Sequence, residues 1–349
     1  MDDEKPKHER RQRYKGTHPK SFQEKYKELS PEQYAADVAK VLEQGRTPAG
    51  MHRSICVDEI LHYLNPQPGE IGFDATLGYG GHSLALLKKI QPGGLLYAGD
   101  VDPIELPKTK ARLALQGFGE DKIVIQKMNF STLDHLVFTS GPLNFVLADL
   151  GVSSMQIDNP ERGFSFKVDG PLDLRLNPKS GKSAADLLKQ ISQERLEQLL
   201  IENSDEPYAS QIAESISILN RRGKYLKSTS ELQNCIREAL LFLQSNVRAE
   251  QTKKACQRCF QALRIAVNDE FGVLEKFLDK LPDALASGGR VAILSFHSGE
   301  DRRVKKSFQA LFRAGIYASI AAEPIRASEA ESHANPRARS AKLRWAVKV

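Results

Sequence analysis

Residues 73–83, Phe73-Asp74-Ala75-Thr76-Leu77-Gly78-Tyr79-Gly80-Gly81-His82-Ser83, restrict the fold more than any other segment of this 349-residue chain. An apolar run ends in an acid, a glycine-rich turn follows, and a helix-compatible stretch from Leu84 to Ile90 comes next. Glycine reaches positive φ and lets the backbone come close to a ligand. At the end of a parallel strand, such a turn opens a crevice suited to a nucleotide-like cofactor. A tight strand-to-helix turn with no ligand would leave the same trace. A second apolar run, Leu95-Leu96-Tyr97-Ala98-Gly99-Asp100, ends in a carboxylate about 20 residues past the glycines, where nucleotide-binding folds place an acid for ribose hydroxyls.

The glycine order is not that of the dinucleotide fingerprint, and no Lys-Ser/Thr pair follows it, so a phosphate-binding loop is excluded. An acid before the loop and another after the next strand fit a cofactor with an amino-acid moiety and a ribose but no phosphates. S-adenosylmethionine has that description. The chain is long enough for one large domain plus an extra piece. Its composition, 40% hydrophobic and 27% charged, is that of a soluble globular protein. No run approaches the ~18 apolar residues that span a bilayer. Asp2, Asp3 and Glu4 stand among the first bases, which fits neither a signal peptide nor a transit peptide, so a cytoplasmic location without membrane association is expected. The net charge of +6 is uneven: Arg302–Val349 carries 11 Lys/Arg against 3 Asp/Glu. A basic C-terminal face beside a cofactor pocket suggests a polyanionic substrate, although a solvated surface has the same composition. Cys256 and Cys259 form a Cys-x-x-Cys, but no second Cys/His pair completes a zinc site and no strand precedes it as redox chemistry requires. A packing role is expected for the pair, and no metal.

Strand and helix signals alternate from His52 onward. Helices are expected at Val57–Leu64, Ser83–Ile90 and Ile104–Leu115, and strands at Ile71–Ala75, Leu95–Asp100, Lys122–Gln126 and Asn144–Leu150. A long Gly/Pro/Ser/Asp-rich loop over 151–182 breaks the alternation and reads as functional. Helical patterns at Ala184–Glu202, Tyr208–Asn220 and Ser230–Leu243 then follow without strands. Alternation resumes with a helix at Asp269–Leu285, a turn at Ser287-Gly288-Gly289 and a strand at Arg290–Phe296. A basic helix at Glu300–Phe312 and strands near Tyr317–Ile320 and Lys342–Val347 complete the pattern. The expected organisation is a polar extension (1–45), a core (46–180 and 256–349) and a helical insertion domain (181–255).

Several blocks, in order, resemble one family. They are Asp149-Leu150-Gly151-Val152-Ser153-Ser154-Met155-Gln156, Pro160-Glu161-Arg162-Gly163-Phe164-Ser165-Phe166, Asp169-Gly170-Pro171-Leu172-Asp173-Leu174-Arg175, Phe260-Gln261-Ala262-Leu263-Arg264-Ile265, Ser295-Phe296-His297-Ser298 and Asn335-Pro336-Arg337-Ala338-Arg339-Ser340. From His52 to about Lys348 the chain is similar to the MraW/RsmH family of ribosomal RNA methyltransferases. The resemblance implies an α/β, Rossmann-like class I methyltransferase with a mostly parallel seven-stranded sheet. It also implies S-adenosylmethionine as methyl donor and, as substrate, the exocyclic N4 of a cytidine in 16S rRNA of the small ribosomal subunit. Carried over by position, the cofactor contacts fall on Gly80, Gly81, His82, Asp100, Phe130, Asp149 and Gln156. Ser153, Ser154, Arg162, Arg175, Arg264, His297, Arg337 and Arg339 are the candidates for the RNA. No catalytic residue is assigned: Asp149-Leu150-Gly151-Val152 stands where familiar amino-methyltransferases carry an Asp/Asn-Pro-Pro-aromatic turn.

The chain departs from the family pattern at His52-Arg53-Ser54-Ile55-Cys56, at Gly299, and at Lys254-Ala255-Cys256-Gln257-Arg258-Cys259. These positions spare the cofactor set and touch substrate-facing segments. A diverged paralogue acting on another RNA, DNA or protein, or a non-catalytic RNA-binding assembly factor, is the alternative. A target base must leave its stack to enter such a crevice, so an unpaired or flippable cytidine is expected.

Overall fold

In the computed structural model, which describes residues 54–349, the central strand β4 (Leu143–Asp149) is buried almost throughout. An apolar run of this kind suits a parallel strand covered on both faces. Around it stand β1 (Ile71–Asp74), β2 (Leu95–Asp100), β3 (Ile123–Lys127), β5 (Leu285–Ser295), β6 (Tyr317–Ile320) and β7 (Lys342–Lys348). The seven strands run in the order β3-β2-β1-β4-β5-β7-β6, parallel except for β7, which is antiparallel to β5 and β6. This is the α/β, Rossmann-like class I methyltransferase arrangement.

Side chains alternate across β4, as the two-residue period of a strand requires. Phe145 and Leu147 face α1 (Val57–Leu64) and α2 (Gly81–Ile90), packing with Ile60, Leu64, Leu86 and Ile90. Val146 and Ala148 face α4 (Leu133–Ser140), α11 (Glu270–Ala284) and α12 (Ser298–Arg313), through Leu136, Phe277, Leu281 and Phe308. Phe145 fits beside β1 because residue 72 is glycine: a Cβ there would lie 2.0 Å from the Phe145 ring. Between β2 and β4 run α3 (Glu105–Leu115), β3 and α4.

The helices α6 (Ala184–Gln190), α7 (Gln193–Ser204), α8 (Ala209–Arg221), α9 (Thr229–Ala239) and α10 (Ser245–Asn268) form a layer with its own apolar cluster, including Leu188, Leu200, Ile212, Ile236 and Phe260. The helix expected over Ala184–Glu202 is two: Ser192 interrupts it and caps α7, accepting the Arg195 N–H. The 24-residue α10 was absent from the expected pattern. It runs through position 255, where a domain boundary was expected, and its residues as far as Leu263 belong to the helical cluster. Cys256 and Cys259 lie buried in α10, and burial pushes the Cys256 thiol up to about 11. The turn expected at Ser287-Gly288-Gly289 is absorbed into β5 as an irregularity in its pairing with β4. The expected extension 1–45 lies outside the described residues. No described helix is long and apolar enough to cross a membrane.

Candidate functional site at the switch between β1, β2 and β4

Strand β1 pairs in parallel with β2 on one side and β4 on the other. The crossovers leave in opposite directions there, and the crevice beyond the carboxyl ends of the strands is where such sheets bind ligands. The register sets Asp74 level with Ala98 and Leu147, so Asp100 and Asp149 project two residues further along the same edge. The three acids expected around the site therefore converge.

The glycine turn is fixed from several directions. Gly78 donates its N–H to Asp100 Oδ2 at 2.8 Å and accepts from the Thr109 hydroxyl at 2.6 Å. Arg112 donates to Thr109 Oγ1 at 2.6 Å, and its guanidinium lies 4.9 Å from the centre of the Tyr79 ring. Gly80 caps α2 at φ 75, and a Cβ there would lie 2.9 Å from the Thr109 methyl carbon. Both conformation and space therefore demand glycine. Gly81 opens α2, and His82 and Ser83 in its first turn are buried.

Asp74 is buried and accepts from the Ser83 hydroxyl at 2.6 Å, yet burial still raises its carboxyl above the usual range. Burial likewise pushes Asp100 up to about 6, against the N–H bonds from Asp102 and Gly78. His82 Nε2 stands 3.4 Å from Asp149 Oδ2. Burial disfavours the charged imidazole, but the contact with Asp149 and the charges of Asp74 and Glu331 outweigh it and raise the His82 pKa. Among the described residues, Asp149 Oδ1 is buried with no hydrogen-bonding partner, and His82 Nε2 makes no hydrogen bond of good geometry. A folded protein rarely leaves such atoms unsatisfied, so this wall fits a ligand that brings donors to it. Phe130 follows β3; its ring meets Phe277 edge-on at 5.0 Å and is half-buried.

Beyond β4, Ser153 and Gln156 form a capping box that opens α5 (Ser154–Asp158), whose first residue is Ser154. Gln156 Oε1 accepts the Ser153 N–H, and Gln156 Nε2 donates to Asp102 at 2.8 Å. Asp102 was not anticipated from sequence, although an acid two residues past a strand-end acid and followed by Pro103 marks a turn at the crevice. It is 1% exposed and also takes Arg162 Nη1 at 2.7 Å.

Most arginines expected at the RNA are committed elsewhere. Arg162 is 6% exposed and bound to Asp102 and two backbone carbonyls. Arg175 forms a bidentate pair with Asp173, Arg264 with Glu270, and Arg337 reaches Asp158. Arg339 is exposed. His297, after β5, lies 3.2 Å from Glu300 Oε1. Burial works against a charged Glu300, but His297 and Arg264 hold its carboxyl below the usual range. A cleft of about 460 Å³ opens beside this cluster, lined among others by Lys182, Arg195, Asn203, Asp269 and Phe271.

Residues 49–349 match the model of a family described as the MraW methylase family. The chain belongs to that family. It is 61% identical, over the full length of both chains, to "Ribosomal RNA small subunit methyltransferase H 2" of Alkaliphilus metalliredigens. It is 57% identical to "Ribosomal RNA small subunit methyltransferase H 1" of Lachnoclostridium phytofermentans, covering 100% of this chain and 95% of that one. A relative of the same printed name from Agathobacter rectalis is 55% identical over 99% of each chain. The match to the Alkaliphilus protein includes residues 1–45, so the extension is shared with that relative.

Proposed function

We propose that this protein transfers a methyl group from S-adenosylmethionine to the exocyclic N4 of a cytidine in 16S rRNA of the small ribosomal subunit. Family membership and the names of its relatives support the reaction class. The observation that carries the site is the convergence of Asp74, Asp100 and Asp149 on one sheet edge beside a glycine turn, with Asp149 Oδ1 buried and unpartnered. The bound cofactor would supply a methyl group already activated on a positively charged sulfur.

The chain's own residues would bind and orient. Gly80 and Gly81 leave room for the amino-acid end of the donor, and Asp100 has lone pairs left for ribose hydroxyls. Phe130 offers an apolar ring edge to the adenine, and Gln156 closes the wall after β4. Asp149 Oδ1 is the acceptor available to an amine hydrogen. As the cytosine nitrogen gains a bond to carbon it must lose a proton, and Asp149, with His82 behind it, can take that hydrogen. Holding amine and methyl in line supplies much of the acceleration, since positioning alone contributes roughly 7–11 kcal/mol in well-oriented systems. Ser153, Ser154, His297 and exposed cations such as Arg339 border the route of the RNA. The helical layer would act as an insertion domain flanking that route.

Mass mapping of small-subunit rRNA from cells lacking the gene, followed by methylation in vitro with the purified protein, tests this reading. A single decoding-region cytidine should lose its N4 methyl and regain it. An unchanged cytidine would move the activity to another acceptor.

A further inference from the structure

Asp102 is a buried charge whose partners come from both sides of the crevice. Its N–H donates to Asp100 Oδ1 at 2.9 Å, and its Oδ1 accepts from Ile104 N–H at 2.9 Å. Its Oδ2 accepts both Gln156 Nε2 at 2.8 Å and Arg162 Nη1 at 2.7 Å. Asp100 ends β2 and Gln156 follows β4, the strands on either side of β1. Asp102 therefore bridges the two walls of the crevice.

Arg162 carries the connection away from the sheet. Its Nη2 donates to the carbonyls of Arg175 at 3.1 Å and Leu176 at 2.8 Å, and its own carbonyl accepts from Leu174 N–H. Leu174 has φ 62, a conformation that leucine adopts only when its surroundings impose it. Asn268, at the end of α10, grips the same segment: Nδ2 donates to the Leu174 carbonyl and Oδ1 accepts the Leu176 N–H, both at 2.8 Å. The segment has no slack, because a Cβ on Gly163 would lie 2.2 Å from the Pro171 carbonyl oxygen. A continuous path of short bonds thus runs from the cofactor acid to the helical layer. An apolar replacement of a buried ion pair is often as stable or more so. Stability alone therefore does not account for a charged pair at this crossing.

We propose that Asp102 and Arg162 are positioning residues that couple occupancy of the cofactor crevice to affinity for the RNA. Closing the crevice around the donor fixes Asp100 and Gln156, hence Asp102, hence the 162–176 segment against α10. This rests on the methyltransferase reading above. The coupling is reciprocal, so RNA must tighten the donor site by the same factor that the donor tightens RNA binding.

The test is calorimetric titration of S-adenosylhomocysteine, with and without a saturating fragment of small-subunit rRNA that contains the target cytidine. In the wild type, RNA should tighten binding about tenfold, a usual size for coupling between sites. D102N strands the Arg162 charge and should lower the melting temperature. The double variant D102N/R162M strands no charge and should recover much of that stability, yet lose the coupling. Its kcat/KM should fall mainly through the KM of both substrates. R162K provides a second arm. It keeps an ion pair with Asp102 but cannot fork to the Arg175 and Leu176 carbonyls, so coupling should vanish in a folded protein. Wild-type coupling near unity, or undiminished coupling in R162K and the double variant, overturns the proposal. No binding of S-adenosylhomocysteine to the wild type at all would instead bring down the methyltransferase reading on which it stands.

Discussion

The acids at the ends of β1, β2 and β4 and the arginines of the surrounding loops differ in how much of their chemistry the protein uses itself. Asp74 and Asp100 are held above the usual carboxylate range chiefly by burial, and Asp149 keeps a buried oxygen with no partner. Among the described residues, no arginine is bound to any of these three carboxylates. Arg162, Arg175, Arg264 and Arg337, by contrast, are each bound to a carboxylate by at least one bond of 3.1 Å or less. The three acids are met by N–H groups, a hydroxyl or a histidine, whereas the four arginines each face a carboxylate. The distinction between site and scaffold here lies in the pairing of the charges, not in their type.

The largest effect should come from the scaffold side. Arg264→Met leaves Glu270 half-buried without its cation. It should cost about 3 kcal/mol of stability, the usual toll for stranding one member of a buried pair, measurable by chemical denaturation. Loss of RNA affinity at unchanged stability would break the contrast by moving Arg264 to the site side. On the cofactor side, pH discriminates. Asp100 binds its proton more tightly in the folded free protein than in the unfolded chain, so its contribution to stability is present at low pH and lost as pH rises through about 6. The ionised form accepts from ribose hydroxyls more strongly than the protonated one. Affinity for S-adenosylhomocysteine should therefore weaken about tenfold from about pH 7 to about pH 5, and Asp100→Asn should flatten the profile. A wild-type profile as flat as that of the variant would remove Asp100 from the cofactor site. The smallest change belongs to Arg339→Ala. As an exposed cation it should alter stability by less than ~0.5 kcal/mol and weaken RNA binding a few-fold with a shallower salt dependence, measured by filter binding at two salt concentrations.

Much of this was legible along the chain. The β2 and β6 strands occupy Leu95–Asp100 and Tyr317–Ile320 as expected, and helix Val57–Leu64 likewise. Apolar runs bounded by Gly, Asn and Pro carry that information locally. Helix α10 was missed because its first turns are largely polar, and because its buried stripe begins with the weak signals Ala255, Cys256 and Cys259. The convergence of Asp74, Asp100 and Asp149 followed from strand ends alone. What the strand ends could not show was pairing at a distance. The partner of Arg162 is 60 positions away and that of Arg337 is 179. A basic residue in a loop motif looks the same whether it meets a phosphate or an aspartate. Asp102 was overlooked for the same reason, since its importance comes from three loops that only the fold assembles.

The 24 residues of α10 make an unbroken rod about 36 Å long. One stretch of it is embedded among the helices of the outer layer, and its last residue, Asn268, clasps the segment beside the crevice. A tilt of the outer layer therefore cannot be absorbed by a flexible hinge at position 255. It arrives at Asn268 as a rotation, and the two parts of the molecule must reorient as levers on one shaft.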